Sequence, residues 1–266
     1  MTLPALFIGH GSPLNAVEDT AYRNSWLDLG EELRDIYDDE IENILCISSN
    51  WITDGTAVTA MDEPPTIRDF SGFPPVLDNI SYPAPGNPEL AAQIQQLLAP
   101  EPVTADLSWG LDHAAWMVLR NLFPDADIPV VQLSLNRNFN ARQHYEMAQK
   151  LAVLRKQGVL IVGSGNIIHN LGLLDLRHAN TPGPGHTWAE LAHQLTLKWL
   201  KNNNLNSLLD DGHYPQPIRM SMPSPEHFWP LLYVLGVRKG KEYMEIFNDE
   251  IVGKSVSMTS LIIGMD

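Results

Sequence analysis

The chain alternates short, densely apolar runs with longer stretches in which apolar residues recur at i, i+3 and i+4. Residues 3–8, 44–48, 128–135 and 159–163 are apolar almost without a break. Runs of that length without polar alternation predict strands buried on both faces. Residues 88–98, 114–123, 141–157 and 188–202 carry the helical period and predict amphipathic helices. Extended pieces near 57–61 and 255–263 would widen the sheet. Strands alternating with helices predict an α/β fold: a largely parallel or mixed central sheet flanked by helices. No internal repeat or low-complexity linker divides the sequence, so residues 1–266 read as one domain.

One stretch breaks the alternation. Residues 62–88 are dense in proline and glycine, and a loop this long within a compact domain predicts a lid or binding segment. Its aromatic residues Phe70, Phe73 and Tyr82 predict that it packs down onto the domain. The acidic residues crowded between Glu31 and Glu42 read as a solvated helix face and loop.

Composition narrows the partners. The formal net charge of −15 repels phosphate backbones, so nucleic acid is not an expected partner. No run approaches the ~18 apolar residues of a membrane span. The opening Met1-Thr2-Leu3-Pro4 lacks the basic region of a signal peptide. Cys46 is the only cysteine, which precludes an intramolecular disulfide and fits a reducing cytoplasm. Its place in an apolar run predicts a buried thiol. No coiled-coil stripe is present, and a monomer or small homo-oligomer is expected.

Polar, glycine-flanked tips follow the apolar runs: Gly9-His10-Gly11-Ser12, Ser48-Ser49-Asn50-Trp51, Ser134-Leu135-Asn136 and Gly163-Ser164-Gly165-Asn166. Open α/β sheets bind ligands outside the carboxyl ends of their strands, so these tips would share one edge. His10 between two glycines has the setting of a metal ligand, an acid/base or a hydrogen-bonded structural histidine. His169 follows the fourth tip. His113 precedes a helix that Asp112 is placed to cap, and His227 opens an apolar helix. A purely structural role is a live alternative for each of the three. His144, His178, His186, His193 and His213 lie in sequence that reads as exposed. Dinucleotide, phosphate-loop, structural-zinc and nucleophile-elbow patterns are all lacking. Dispersed histidines gathered by folding suit a mononuclear metal site.

The motifs Gly9-His10-Gly11-Ser12-Pro13, Pro64-Pro65-Thr66-Ile67, Tyr82-Pro83-Ala84-Pro85-Gly86, Gly110-Leu111-Asp112-His113, Gly163-Ser164-Gly165-Asn166 with His169-Asn170-Leu171, and Pro225-Glu226-His227 occur in one order. Together they resemble the bacterial and plant DOPA 4,5-dioxygenases of the class III extradiol superfamily. The resemblance runs from about residue 4 to near the C-terminus. It implies cleavage of a small catechol, DOPA-like or other, by O₂ at a non-haem metal, Fe(II) in active members, with Zn(II) also able to occupy the site. It further implies His10 and His227 as metal ligands, His169 as ligand or base, and His113 as an acid/base that contacts substrate. Asn50 departs from the pattern, because the family places a metal-binding histidine there. Arg68 replaces another histidine of the family and would either hold an acidic substrate group or simply sit in solvent. Two alternatives follow from Asn50: a family member with metal-assisted hydrolytic activity, or a non-catalytic small-molecule binder.

Overall fold

The structure, a computed structural model, describes residues 1–69 and 73–265. In chain order the elements are β1 (Ala5–Gly9), α1 (Ala21–Tyr37), β2 (Asn43–Thr53), β3 (Thr56–Thr59), α2 (Pro88–Leu98), β4 (Val103–Asp106) and α3 (His113–Leu122). There follow β5 (Val130–Asn136), α4 (Ala141–Leu151), β6 (Val159–Gly165), α5 (Thr187–Lys201), α6 (Leu205–Leu209), α7 (Gln216–Ser221) and α8 (Trp229–Gly236). The chain ends in β7 (Met244–Phe247), β8 (Ile251–Val252), β9 (Val256–Ser257) and β10 (Ser260–Ile263).

The central sheet is mixed, with strand order β4-β3-β5-β2-β6-β1-β10-β7. Its middle, β5-β2-β6-β1, is parallel throughout. These are the four runs that lack polar alternation, and β1, β5 and β6 are buried at every residue. Alternate side chains enter opposite cores. Phe7, Leu45, Ile47, Leu133 and Ile161 pack beneath α2, α4, α5 and α8. Leu6, Ile8, Cys46, Leu160 and Val162 pack beneath α1 and α3. Antiparallel β10 and β7 close one side, and the antiparallel β3–β5 pairing begins the other. No helix among the described residues is long and apolar enough to cross a membrane.

The helices start where their caps dictate. Asn87 accepts from the Leu90 amide at the head of α2, Asp112 from the Ala115 amide at α3, and Asn140 forms a capping box with Gln143 at α4. The predicted helix over 141–157 stops earlier, at Leu151, and Leu154–Lys156 tightens into a 3₁₀ turn. That turn presents Arg155, fully buried, whose Nε donates to the Leu3 carbonyl (2.7 Å) and whose Nη1 pairs with Glu242 (2.7 Å). The start of β1 is thereby fastened beside the start of β6. The periodicity of α1 escapes a reading centred on its acidic residues: Tyr22, Trp26, Leu29, Leu33 and Tyr37 form its buried face, while Glu31, Glu32 and Asp35 lie exposed. The sheet-edge strands β4 and β7 also go unpredicted, because partial exposure gives them no continuous apolar run.

Cys46 is buried, as its apolar setting predicts. Within the long loop, Tyr82 is buried and donates to the Phe123 carbonyl (3.1 Å), whereas Phe73 is exposed; Phe70 lies outside the described residues. Three histidine expectations need correction. His144 is wholly buried, its ring 4.4 Å from that of Trp229 and its Nδ1 3.2 Å from the Tyr233 hydroxyl. It sits on the core face of α4, whose polar neighbours disguise it. His186 and His193 are half-buried, and His178 and His213 are exposed as expected.

Burial pushes the His144 pKa down to about 3, outweighing the raising effect of the Asn136 backbone. An unfolded chain titrates this residue near ~6.5, so His144 adds stability that is complete above that pH. The contribution is lost as the pH falls from the unfolded value toward the folded one. His144→Phe is therefore expected to flatten the acid side of the stability curve. The loss of stability between about pH 7 and pH 5 should be about 2 kcal/mol smaller than in the parent chain. Urea unfolding at the two pH values checks this.

Candidate active site

At the carboxyl edge of the sheet, the β1–β6 pairing ends with Gly9 opposite Gly165. The ladder continues one step further, as the His10 amide donates to the Gly165 carbonyl (3.1 Å). The Asn166 amide then donates to the His227 carbonyl (2.8 Å). A Cβ on Gly165 would stand 2.2 Å from that same oxygen, so this strand tip requires glycine for the segment before α8 to approach. His169 is fixed by its amide, which donates to the Ser221 carbonyl (2.7 Å), and by an isolated bridge to Val256. His113 is the first residue of α3. Its cap, Asp112, is fully buried and accepts from Ser48 (2.7 Å) and from Gln132, which ties the helix start to β2 and β5. Burial pushes the Asp112 carboxyl up despite these donors.

His10, Asn50, His113, His169 and His227 all line one pocket of about 610 Å³, within the ~300–1,000 Å³ usual for small ligands. The rings of His10 and His227 are 5.3 Å apart, and His169 lies flat on His227 at 3.4 Å and 12°. Leu14, Phe73, Leu171, Leu174, Leu176 and Val256 form most of the remaining wall. Arg68 is not among the lining residues: it is exposed, and its Nε donates to the Ile80 carbonyl (2.8 Å).

Hydrogen bonds fix the tautomers of two rings. The Ser164 hydroxyl donates its single proton to the Ala114 carbonyl (2.6 Å). Toward His10 Nδ1, 3.0 Å away, it can therefore only accept, so neutral His10 carries its proton on Nδ1 and its lone pair on Nε2. The Asn166 amide nitrogen donates to the Ser257 carbonyl (2.8 Å), which turns Oδ1 toward His227 Nδ1 at 3.3 Å. His227 thus also presents a bare Nε2. An imidazole with Nδ1–H held by an oxygen and Nε2 free has the arrangement of a metal-ligating histidine.

Electrostatics keeps these rings neutral. Burial, then repulsion from His169 and His113, holds His10 well below the ordinary histidine range. His227 is lowered by burial, then by His169, His10 and His113. Burial takes His169 down to about 4. His113 differs in having an anionic partner: its Nδ1 lies 2.5 Å from Asp69 Oδ1. Burial alone would raise the Asp69 carboxyl, but the bond and attraction to His113 outweigh it and hold the group low. The Asn50 amide nitrogen lies 2.9 Å from His113 Nε2, and its oxygen accepts from Ser49 Oγ (3.1 Å). Among the described residues, no three His, Cys, Asp or Glu side chains are arranged to hold one metal ion. Two neutral imidazoles with free Nε2 atoms, those of His10 and His227, do fit as metal donors.

Sequence reasoning finds every histidine of this pocket but not the groups that orient them. Ser164 and Asn166 fall within a recognised turn, where they read as turn formers, although an oxygen acceptor beside a histidine tip is a legible signal. Asp69 sits in the proline-rich loop, and no spacing links it to His113, 44 positions away.

Residues 4–261 match the family model described as the catalytic LigB subunit of aromatic ring-opening dioxygenase. A 4,5-DOPA dioxygenase extradiol of Escherichia coli is 44% identical over 98% of this chain and 95% of that protein. A protein of the same name from Beta vulgaris is 35% identical over 96% of this chain and 94% of that protein. The crystal structure of an uncharacterized protein from Escherichia coli superposes with a TM-score of 0.80 at 39% identity, covering 98% of this chain and all of that one. The matches span the sheet, the glycine-spaced tips and the histidine pocket together, and the chain belongs to this family of extradiol ring-opening dioxygenases.

Proposed function

We propose that the histidine pocket cleaves a catechol with O₂, using Fe(II) held by His10 and His227, and that Zn(II) can take the same donors. The observation that carries this reading is the fixed tautomer pair: both rings turn a bare Nε2 away from an oxygen-bound Nδ1. Fe(II) bound there would supply neighbouring positions for a catecholate and O₂, and a route for electrons between them. Both oxygen atoms enter the product as the ring bond beside the hydroxyls breaks, so no external reductant is consumed.

The remaining residues handle protons and position. Burial keeps the His169 lone pair free at neutral pH, as a base that accepts a catechol proton requires. Its flat stacking on His227 supports that role over ligation, since two parallel rings 3.4 Å apart do not aim their in-plane lone pairs at one point. His113 is the second proton carrier and contacts substrate, and Asp69 is a positioning residue that holds its Nδ1. Asn50 occupies a ligand position with a neutral amide oxygen, a weaker donor than imidazole. That substitution also favours a second reading, a binder that has lost turnover. Anaerobic loading with Fe(II), then a catechol and air, separates the two by oxygen uptake and a yellow ring-opened product.

Three substitutions test the assignments. His10→Ala is expected to reduce Fe(II) and Zn(II) affinity by more than the ~10–100-fold typical of changes around a ligand. The thermal transition should persist, because the side chain projects into the pocket; unchanged metal affinity would sink the assignment. Asn50→His adds an imidazole where the family has one and is expected to tighten Fe(II) binding at least ~10-fold and to speed oxygen uptake. If neither quantity improves, Asn50 does not stand in for a ligand. Asp69→Asn keeps the shape but removes the charge. We expect kcat to fall roughly 100-fold with KM little changed, and the pH profile to shift, as when a general acid/base is mis-set.

A further inference from the structure

A single turn stands behind three of the pocket histidines. It joins β9 to β10 over residues 257–260, all of them wholly buried. Ser260 Oγ accepts from the amide of Gly9 (3.0 Å), the residue before His10. The Ser257 amide donates to the carbonyl of Ile168 (2.9 Å), the residue before His169. The Ser257 carbonyl accepts from Asn166 Nδ2 (2.8 Å), and Asn166 Oδ1 faces His227 Nδ1. Met258 lies so close to β1 that a Cβ on Gly9 would stand 2.6 Å from its carbonyl carbon. Three histidines far apart in sequence are thus referenced to one short turn.

The turn is itself held from outside the pocket. Ser257 Oγ donates to Thr259 Oγ1 (2.6 Å), and Thr259 Oγ1 donates to Asp249 Oδ1 (3.1 Å). His193 Nε2 donates to the same carboxylate oxygen (2.7 Å). A carboxylate only accepts, so Asp249 sets the direction of the whole chain of bonds. Burial alone would raise the Asp249 carboxyl, but the bond and attraction to His193, the Thr259 bond and the attraction of Lys201 outweigh it and hold the group low. The chain runs from two wholly buried hydroxyls to the side chains of Asp249 and His193, 35% and 12% exposed. None of these four residues lines the pocket. Apolar side chains could fill the same space. Hydrogen bonds add orientation, because they weaken steeply as their partners rotate, and a buried hydroxyl left without an acceptor is costly.

We infer that Asp249, together with His193 and Thr259, is a positioning residue for the metal-binding histidines, anchoring the turn that aligns His10, His169 and His227. The inference rests on the metal-binding reading of the pocket, and its test is chosen to separate the two.

Asp249→Leu and Thr259→Val each remove a hydrogen-bonding group while keeping the bulk. Asp249→Asn and Thr259→Ser keep the acceptor and the hydroxyl. Calorimetric titration of the metal-free full chain with Zn(II) should show affinity falling about 10-fold in the first pair, the lower end of the range for partners around a ligand. The second pair should recover most of that loss. In the Fe(II)-loaded chain, kcat for a catechol should fall in the same order with KM little changed, since the pocket wall is untouched. Long-range ¹H–¹⁵N spectra of the metal-free chain read the imidazoles directly. The parent should show His10 and His227 as single Nδ1–H tautomers, and Asp249→Leu should turn one or both into mixtures. Unchanged imidazole spectra in Asp249→Leu overturn the inference. Equal losses in Asp249→Asn and Thr259→Ser also overturn it, because hydrogen bonding would then not be what acts. Thermal melting identifies a variant that has simply unfolded. If Thr259→Val does so, Asp249→Leu, at the exposed end of the chain, carries the test. A parent that binds neither metal sinks the metal-binding reading, and the imidazole spectra then decide the positioning role alone.

Discussion

The site depends on one backbone hydrogen bond, from the amide of His10 to the carbonyl of Gly165. It carries the parallel β1–β6 ladder one residue beyond the regular strands, at the edge where a sheet stops burying side chains. Everything downstream inherits that register. Ser164, the residue before the accepting carbonyl, comes level with the His10 ring and fixes its tautomer. Asn166, the residue after it, binds His227 through both backbone and side chain. A side chain on Gly165 would collide with the His227 carbonyl and separate the two histidines. Arg155 secures the other end of the same pair of strands. The register that positions the chemistry is therefore held at both ends.

The pocket gathers four imidazoles with one carboxylate among its direct partners, although the molecule as a whole is strongly acidic. Most of that acid is solvated, as on the outer face of α1, and does not neutralise the site. Buried and facing one another, His10, His169 and His227 are kept unprotonated. Such an arrangement is unfavourable at acid pH, where an unfolded chain gains protons that the folded one refuses. It is favourable for ligation, which needs a free lone pair.

Membership of the ring-opening dioxygenase family is carried by features the chain shares with its relatives along nearly its whole length. The Asn50 amide bonds both Ser49 and His113 at the floor of the pocket.

Much of this protein was legible without coordinates. The apolar runs determined the four parallel strands, because a strand buried on both faces cannot afford polar residues and so marks itself. Asp112 announced the start of α3 through a local hydrogen bond that spans only a few residues. Glycine-flanked His10 and the turn before His169 marked the sheet edge. Other features had no local signature. The burial of His144 is decided by which side of α4 meets Trp229 and Tyr233. The pairing of Asp69 with His113 and the withdrawal of Arg68 from the pocket depend on how a long loop lies over the sheet. The tautomers of His10 and His227 rest on partners 154 and 61 positions away in sequence. Sequence settles what is enforced by periodicity and short-range capping. Only the folded chain settles contacts between distant segments, because their energies arise from a juxtaposition that neither segment encodes alone.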